Sequence, residues 1–264
     1  MSIVRAAMIG DVVGQAGLET IEAQLPELIK KHQIDFVTVN GENACEGFGM
    51  TEKEFRRIIS AGADVVTSGN HVWEIRDFWA ILETEKSMLR PANYPSGSLN
   101  IGTGLASLKK NGINWIVINL QGRELMNPID CPFQCFDQLR KKITEDFSDT
   151  PIILIDFHAE SSREKEAFGY YTDGRASIIA GTHTHVQTAD QRILPLGTAY
   201  ITDLGMTGNI DSVIGMNPAI CIERARKQVM YQMETTPANN QGRLQGIIAE
   251  IDAETGKAVG IRRV

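Results

Sequence analysis

Ser177-Ile178-Ile179-Ala180-Gly181-Thr182-His183-Thr184-His185 runs from a short β-branched apolar segment straight into a loop that carries two imidazoles two residues apart. A strand that empties into such a loop is the unit from which α/β proteins build sites, because ligands collect beyond the carboxyl ends of strands. In an extended segment, residues i and i+2 point the same way. The spacing therefore predicts that His183 and His185 face one cavity and that each lends a ring nitrogen to a cation. Four other apolar runs close in the same manner, at Gly10-Asp11, Gly41-Glu42-Asn43, Gly69-Asn70-His71 and Phe157-His158. The candidate ligands and catalytic groups thus sit at five strand ends.

Working outward, short β-branched runs at 3–9, 36–39, 65–67, 115–119, 152–157, 177–180, 199–202 and 246–251 alternate with amphipathic stretches, which predicts an α/β chain with helices covering its sheets. Thr51 with Glu54 and Ser161 with Glu164 fit capping boxes, Asn217-Pro218 is a cap followed by a first-turn proline, and Gly62 is a helix stop. Residues 18–33 have helical periodicity that Pro26 should kink or split. No internal repeat or linker interrupts the 264 residues, so residues 1–264 read as one domain. The Pro-, Asn-, Ser- and Gly-rich stretch 90–104 is the one long irregular segment and reads as a loop near a site.

The composition, 42% hydrophobic and 22% charged, is that of an ordinary globular chain. A formal charge of −7 without any run of basic residues argues against a surface that grips long nucleic acid through its phosphates. An anionic substrate would have to be met locally, and bound cations can reverse the sign of a site. The opening MSIVRAAMIGDVVG has neither a signal-peptide apolar region nor a cleavage site, and no apolar run is long enough to span a bilayer. Cys45, Cys131, Cys135 and Cys221 are scattered, which fits a reducing cytoplasm. Cys131 and Cys135 also read as a metal or redox pair, although no second Cys or His pair completes a zinc-type set.

In order, the blocks GD, GEN, GNH, FH and GTHTH resemble the calcineurin-like metallophosphoesterases, with two departures. Position 13 is Val, so a first-block histidine is missing, and the second block carries Glu42 followed by Asn43 in place of its bridging aspartate. With GDVVG, NGENA, SGNHVW, IDFHAE, TDGRAS, GTHTHVQTAD and ITDLGMTG, spread over residues 10–208, the chain resembles the YmdB-like bacterial phosphodiesterases. That resemblance implies a sandwich of two mixed β-sheets flanked by helices, a homo-oligomer, and two transition-metal ions per chain. Asp11, Glu42, Asn43 and His185 would hold one ion; Glu42, Asn70, His158 and His183 would hold the other, with Glu42 as the bridge. The mixed nitrogen and oxygen set suits iron, manganese or zinc better than magnesium, and the resemblance points to iron. It further implies a phosphodiesterase that opens 2′,3′-cyclic nucleotides to nucleoside monophosphates, the 3′ isomer in the first place, by attack of a metal-bridging hydroxide with His71 as general acid. Inorganic phosphate would bind as a product analogue. A phosphomonoesterase, or a regulatory protein that binds phosphate or a nucleotide with little turnover, is the alternative.

Each residue also has a plainer reading. Asp11 reads as a helix cap, Asn43 and Asn70 as turn formers, and His158, between Asp156 and Glu160, as a satisfied interior histidine. His32, beside Lys30 and Lys31, reads as a solvated helix end, and Cys45 as a small buried filler. Arg175 offers a phosphate clamp, but Asp173 makes a structural ion pair or turn the stronger reading. Asp203, after another apolar run, is placed to orient a histidine ligand from behind.

Overall fold

A computed structural model describes residues 2–95, 101–239 and 241–264; positions 96–100 of the irregular stretch lie outside the described residues. In chain order the strands are β1 (Ile3–Ile9), β2 (Asp11–Val12), β3 (Phe36–Asn40), β4 (Val65–Thr67), β5 (Leu105–Lys110), β6 (Ile113–Gln121), β7 (Ile152–His158), β8 (Ile178–Thr182), β9 (Arg192–Ile193), β10 (Ala199–Ile201), β11 (Met206–Asn209), β12 (Gly242–Arg243), β13 (Gly246–Asp252) and β14 (Ala258–Arg263). The helices are α1 (Gly14–His32), α2 (Glu52–Ser60), α3 (Trp79–Thr84), α4 (Pro132–Asp146), α5 (Ser162–Thr172) and α6 (Pro218–Lys227).

Two mixed sheets, ordered β14-β13-β1-β3-β4 and β5-β6-β7-β8-β10-β9, face each other, and a small sheet β12-β11-β2 stands beside them. Alternation along each strand sorts the apolar side chains into layers. Val4, Ala6 and Met8 of β1, Trp115 and Val117 of β6, and Ile152 and Leu154 of β7 meet in one interior core between the sheets. There Phe36 of β3 stacks on Trp115 across the gap, with centroids 4.7 Å apart. The opposite face of the first sheet, with Ala7, Ile9, Val37 and Val39, packs Leu18, Ile21 and Leu25 of α1 and Phe55 and Ile58 of α2. The opposite face of the second, with Ile153, Ile155 and Phe157, packs Phe136 of α4 and Phe168 of α5. Burial on both faces is why the central strands read as continuous apolar runs. β3 and β4 run parallel to β1, while β7, β8 and β10 continue parallel from β6, so their carboxyl ends converge at one edge.

Three local expectations change. α1 runs unbroken through Pro26; Pro26 is exposed, while Leu25 before it and Leu28 and Ile29 after it pack on the core, so burial on both sides outweighs one lost solvent-side hydrogen bond. Glu54 accepts from the Thr51 N–H at 2.9 Å as its capping box requires. Ser161 caps Glu164 N–H, but the Glu164 carboxylate accepts from the N–H groups of Arg123 and Glu124 at 3.0 Å instead, so that second box is half formed. Cys45 is half-buried rather than a core filler. Asn217 caps α6, Gly62 follows the end of α2 at φ 115°, and His32 lies at the α1 terminus beside Arg262, as expected. Among the described residues no helix is long and apolar enough to cross a membrane.

Candidate metal centre

Glu42, Asn70, His158 and His183 converge on one point. His158 closes β7 with both faces buried, and its Nε2 lies 2.9 Å from Glu42 Oε1, 3.0 Å from Asn70 Oδ1 and 3.0 Å from His183 Nδ1. The loop carrying Asn70 reaches His158 only because residue 69 is glycine: a Cβ there would lie 2.2 Å from the His158 ring. Among the described residues, Glu42, His158 and His183 are the His, Cys and acidic side chains whose ligand atoms lie within 4.8 Å of one another. Cys131 and Cys135, at the start of α4, are free thiols away from that group.

Outer partners fix which ring nitrogen of each histidine is bare. Thr182 donates its hydroxyl to Asp156 Oδ1 at 2.6 Å, so its oxygen accepts from His158 Nδ1 at 2.9 Å. The Ile214 carbonyl accepts from His185 Nδ1 at 2.9 Å, and Glu160 holds His183 Nε2 at 3.2 Å. A histidine whose one nitrogen is committed as a donor offers the lone pair of the other. His158 Nε2 and His183 Nδ1 therefore aim lone pairs at each other, an arrangement that requires a proton or a cation between them. In the metal-free chain the proton serves. Burial lowers the His158 pKa, yet Glu42, with Asp11 and Asp156 beyond it, raises the net value to about 9. Burial raises Glu42, but His158 and His71 bring it down to about 2. Burial, with His158 nearby, drives His183 down to about 3.

Beside this group lies a second, richer in oxygen. Asp11 Oδ1 is 3.7 Å from His185 Nε2, and both Asp11 Oδ1 and Asn43 Oδ1 are buried without a hydrogen-bond partner. Asn43 turns its amide nitrogen to the Gly47 carbonyl at 2.9 Å, which leaves its buried oxygen unpaired. Buried oxygens are rarely left unpaired, and burial pushes the Asp11 carboxyl up to about 6 against the pull of His185. The donor set fits cations: bare imidazole nitrogens on one side, orphaned carboxylate and amide oxygens on the other. Asp11 is a strand residue, not a helix cap.

The two histidines do not reach this arrangement by strand alternation. β8 ends at Thr182, and His183 and His185 both take positive φ, 98° and 64°. That turn sends His183 toward His158 and His185 toward Asp11, on different sides of the site. Such backbone is costly outside glycine and is held by His183 N–H on Asp11 Oδ2 at 3.3 Å and Thr184 N–H on Asp203 Oδ2 at 3.2 Å. Asp203 thus grips the residue between the histidines, not an imidazole, and it does so while paired with the buried Lys165 at 2.7 Å. His71 stands at the rim; its N–H donates to Glu42 Oε2 at 3.2 Å and its Nδ1 lies 3.2 Å from Glu74. Arg175 pairs with Asp137 and Asp173 accepts from the Leu196 N–H, so both are structural.

Residues 7–264 match the family model described as YmdB-like protein. The chain belongs to the YmdB-like family. It is 46% identical over 260 residues to the 2′,3′-cyclic-nucleotide 2′-phosphodiesterase of Bacillus subtilis strain 168, covering 98% of this chain and 96% of that protein. A solved structure described as a novel phosphatase from Mycoplasma pneumoniae superposes with a TM-score of 0.92 at 34% identity, covering 100% of this chain and 93% of that one. A hypothetical protein from Thermus thermophilus superposes at 0.87 with 35% identity over 99% of this chain and 98% of its own. The mixed-sheet α/β sandwich expected of a YmdB-like chain is the observed one.

In this YmdB-like site, sequence reasoning missed the layer behind the candidate ligands. Asp156 accepts from Thr182, Thr67 and, at 3.0 Å, Asn40, whose own oxygen accepts from the Glu42 N–H at 3.1 Å. A lone Asp inside ILIDFH and the Asn that ends FVTVN were the available signals. Ile214 left none: its role belongs to a carbonyl, aimed by a φ of 51° that is rare for a β-branched residue.

Proposed function

We propose that this chain is a metal-dependent phosphodiesterase that opens 2′,3′-cyclic nucleotides and releases nucleoside 3′-monophosphates. The observation that carries the reading is the pair of bare imidazole nitrogens 3.0 Å apart at a buried carboxylate, next to unpaired Asp11 and Asn43 oxygens. The 46% identity to a 2′,3′-cyclic-nucleotide 2′-phosphodiesterase supports the substrate class. Asp11, Glu42, Asn43 and His185 would hold one ion and Glu42, Asn70, His158 and His183 the other, iron being favoured by resemblance, with manganese or zinc compatible with the same donors. When bound, such ions supply Lewis acidity toward phosphoryl oxygens and lower the pKa of water.

The chain's own groups do the rest. Glu42 anchors the His71 backbone at 3.2 Å, so the rim imidazole stays in register with the buried donors. Glu74 accepts from Nδ1, so it is the imidazolium form of His71 that carries a second proton, on Nε2, toward the substrate. As the bond between phosphorus and the 2′ oxygen breaks, that proton passes to the leaving oxygen, water supplies the new phosphorus–oxygen bond, and the proton that water gives up restores His71 through solvent. The reading also takes residues 1–264 as one domain, supported by the interior core that both sheets share, and as a cytoplasmic homo-oligomer that binds phosphate as product.

Metal analysis of purified protein, with rates on 2′,3′- and 3′,5′-cyclic nucleotides and on phosphomonoesters, tests it. Retained transition metal and a preference for the 2′,3′ diester are expected. Full activity after chelation would remove the metal role, and faster monoester hydrolysis would favour a phosphatase, the description borne by the Mycoplasma pneumoniae structure.

A further inference from the structure

Residues 45–49 make a tight loop at the mouth of the site. Cys45 N–H donates to Gly49 O at 3.0 Å, Phe48 N–H to Cys45 O at 2.9 Å, and Gly47 N–H to Asn43 O at 3.1 Å. The Asn43 amide returns a hydrogen bond to Gly47 O at 2.9 Å, so the loop is tied to a candidate ligand. Glu46, Gly47 and Gly49 all take positive φ, 48°, 89° and 75°. Met216, itself buried, backs the loop closely enough that a Cβ on Gly47 would lie 2.5 Å from its Cε. The result of this construction is a phenyl ring held outward: Phe48 is 38% exposed between two buried glycines.

A single exposed aromatic is ordinary on a protein surface, so what decides its meaning is where it stands. The Phe48 ring meets the His71 ring at 80° with centroids 5.1 Å apart. A contact at near right angles engages at most one face of Phe48, and the side chain stays partly exposed beside the group proposed to protonate the leaving oxygen. The charged neighbours are acidic: Glu46 in the loop, and Glu74, 53% exposed, which pairs with His71 and lies beside Gly49. They disfavour a second phosphate there and leave an uncharged planar group as the natural occupant. In a 2′,3′-cyclic nucleotide the base is carried on C1′, next to the C2′ whose oxygen leaves, and projects from the opposite face of the ribose, a sugar's length from the phosphate.

We infer that Phe48 is a stacking platform for the nucleobase, and that it makes this site select nucleotides over phosphodiesters without a base. The inference rests on the phosphodiesterase reading above and names the part of its substrate that Phe48 recognises. Stacking of a base on an aromatic ring is worth roughly 5- to 100-fold by alanine substitution.

The test compares wild type, Phe48→Ala and Phe48→Trp on a 2′,3′-cyclic nucleotide and on glycerol 1,2-cyclic phosphate, which has no base. In Phe48→Ala the ratio of kcat/KM for the nucleotide to kcat/KM for the glycerol ester should fall by roughly 5- to 100-fold, mainly through KM, and Phe48→Trp should restore it. An unchanged ratio in Phe48→Ala overturns the inference. Calorimetric binding of a nucleoside 3′-monophosphate, with inorganic phosphate as the base-free probe, separates this failure from failure of the activity. If wild type turns over no cyclic nucleotide, the reading of the reaction falls. The platform still stands if Phe48→Ala weakens nucleotide binding by roughly the same factor relative to phosphate, and falls with it if the two ligands are affected equally.

Discussion

The two halves of the candidate centre are built differently. Around His158 the donors close on one another at 2.9–3.0 Å, and a proton on the histidine satisfies them. Around Asp11 the nearest pairing is 3.7 Å and two buried oxygens have no partner. The nitrogen-rich half can hold its shape without an ion; the oxygen-rich half carries a desolvation cost that a proton on Asp11 or a cation would relieve. A site can therefore be preorganised on one side and dependent on its ligand on the other, with the Glu42 charge of the first side acting on Asp11 of the second.

Glu42→Gln should have the largest effect, removing the carboxylate that the two proposed ligand sets share. Bound metal and turnover should both be lost, and retention of either ion would show that the halves are independent. His71→Ala acts at the rim and should lower turnover by about 10²–10⁴-fold while metal content, read by elemental analysis, stays at the wild-type level; loss of metal would place His71 inside one of the halves. The oxygen-rich half should reveal itself through pH. Burial above all raises Asp11 from 3.8 to about 6, so its ionised form opposes folding, at no cost below about pH 3.8 and at full cost above about pH 6. Metal-stripped protein should thus lose about 3 kcal/mol from this group as pH rises through that window, and Asp11→Asn should abolish the loss. Urea midpoints of both proteins at pH 4 and pH 7 measure it, and parallel midpoints would break the contrast between the halves. Thr182→Val removes the acceptor behind His158 and should weaken metal affinity by about 10- to 100-fold, seen by chelator competition. Smallest is Ile214→Gly, where relief of a left-handed β-branched residue and the greater chain entropy of glycine nearly cancel, leaving stability within about 1 kcal/mol by urea titration. A larger loss would mean that the Ile214 side chain, and not its carbonyl alone, supports His185.

The central strands were readable because burial on both faces leaves mostly apolar runs, broken inside IILIDFH by Asp156 and inside IVRAAMI by Arg5. β5 was missed: as an antiparallel edge strand it reads LASLKK, with alternate positions wet and few β-branched residues. β2, β11 and β12 are two to four residues long and exist because neighbours pair with them. The candidate site was legible to the extent that donor chemistry restricts residue type: Glu42, Asn70, His158 and His183 meet at 2.9–3.0 Å, Asp11 and His185 pair beside them, and the His71 N–H reaches Glu42. What supports them was not. Asp156 and Asn40 stand out as polar residues uncommon in strands, but nothing local says which group they or Thr182 brace.

By itself the sequence determined the strand cores, the α/β class and the identity of the side chains brought to the strand ends, since hydrophobic periodicity and donor chemistry are properties of residues and their spacing. Only the tertiary structure decided the aim of those side chains. His183 and His185 diverge because Asp11 and Asp203, distant in sequence, hold a left-handed turn between them. The bare nitrogen of each imidazole is chosen by Thr182, Glu160 and the Ile214 carbonyl. Direction and protonation depend on partners fixed by packing, and packing is set by the whole chain.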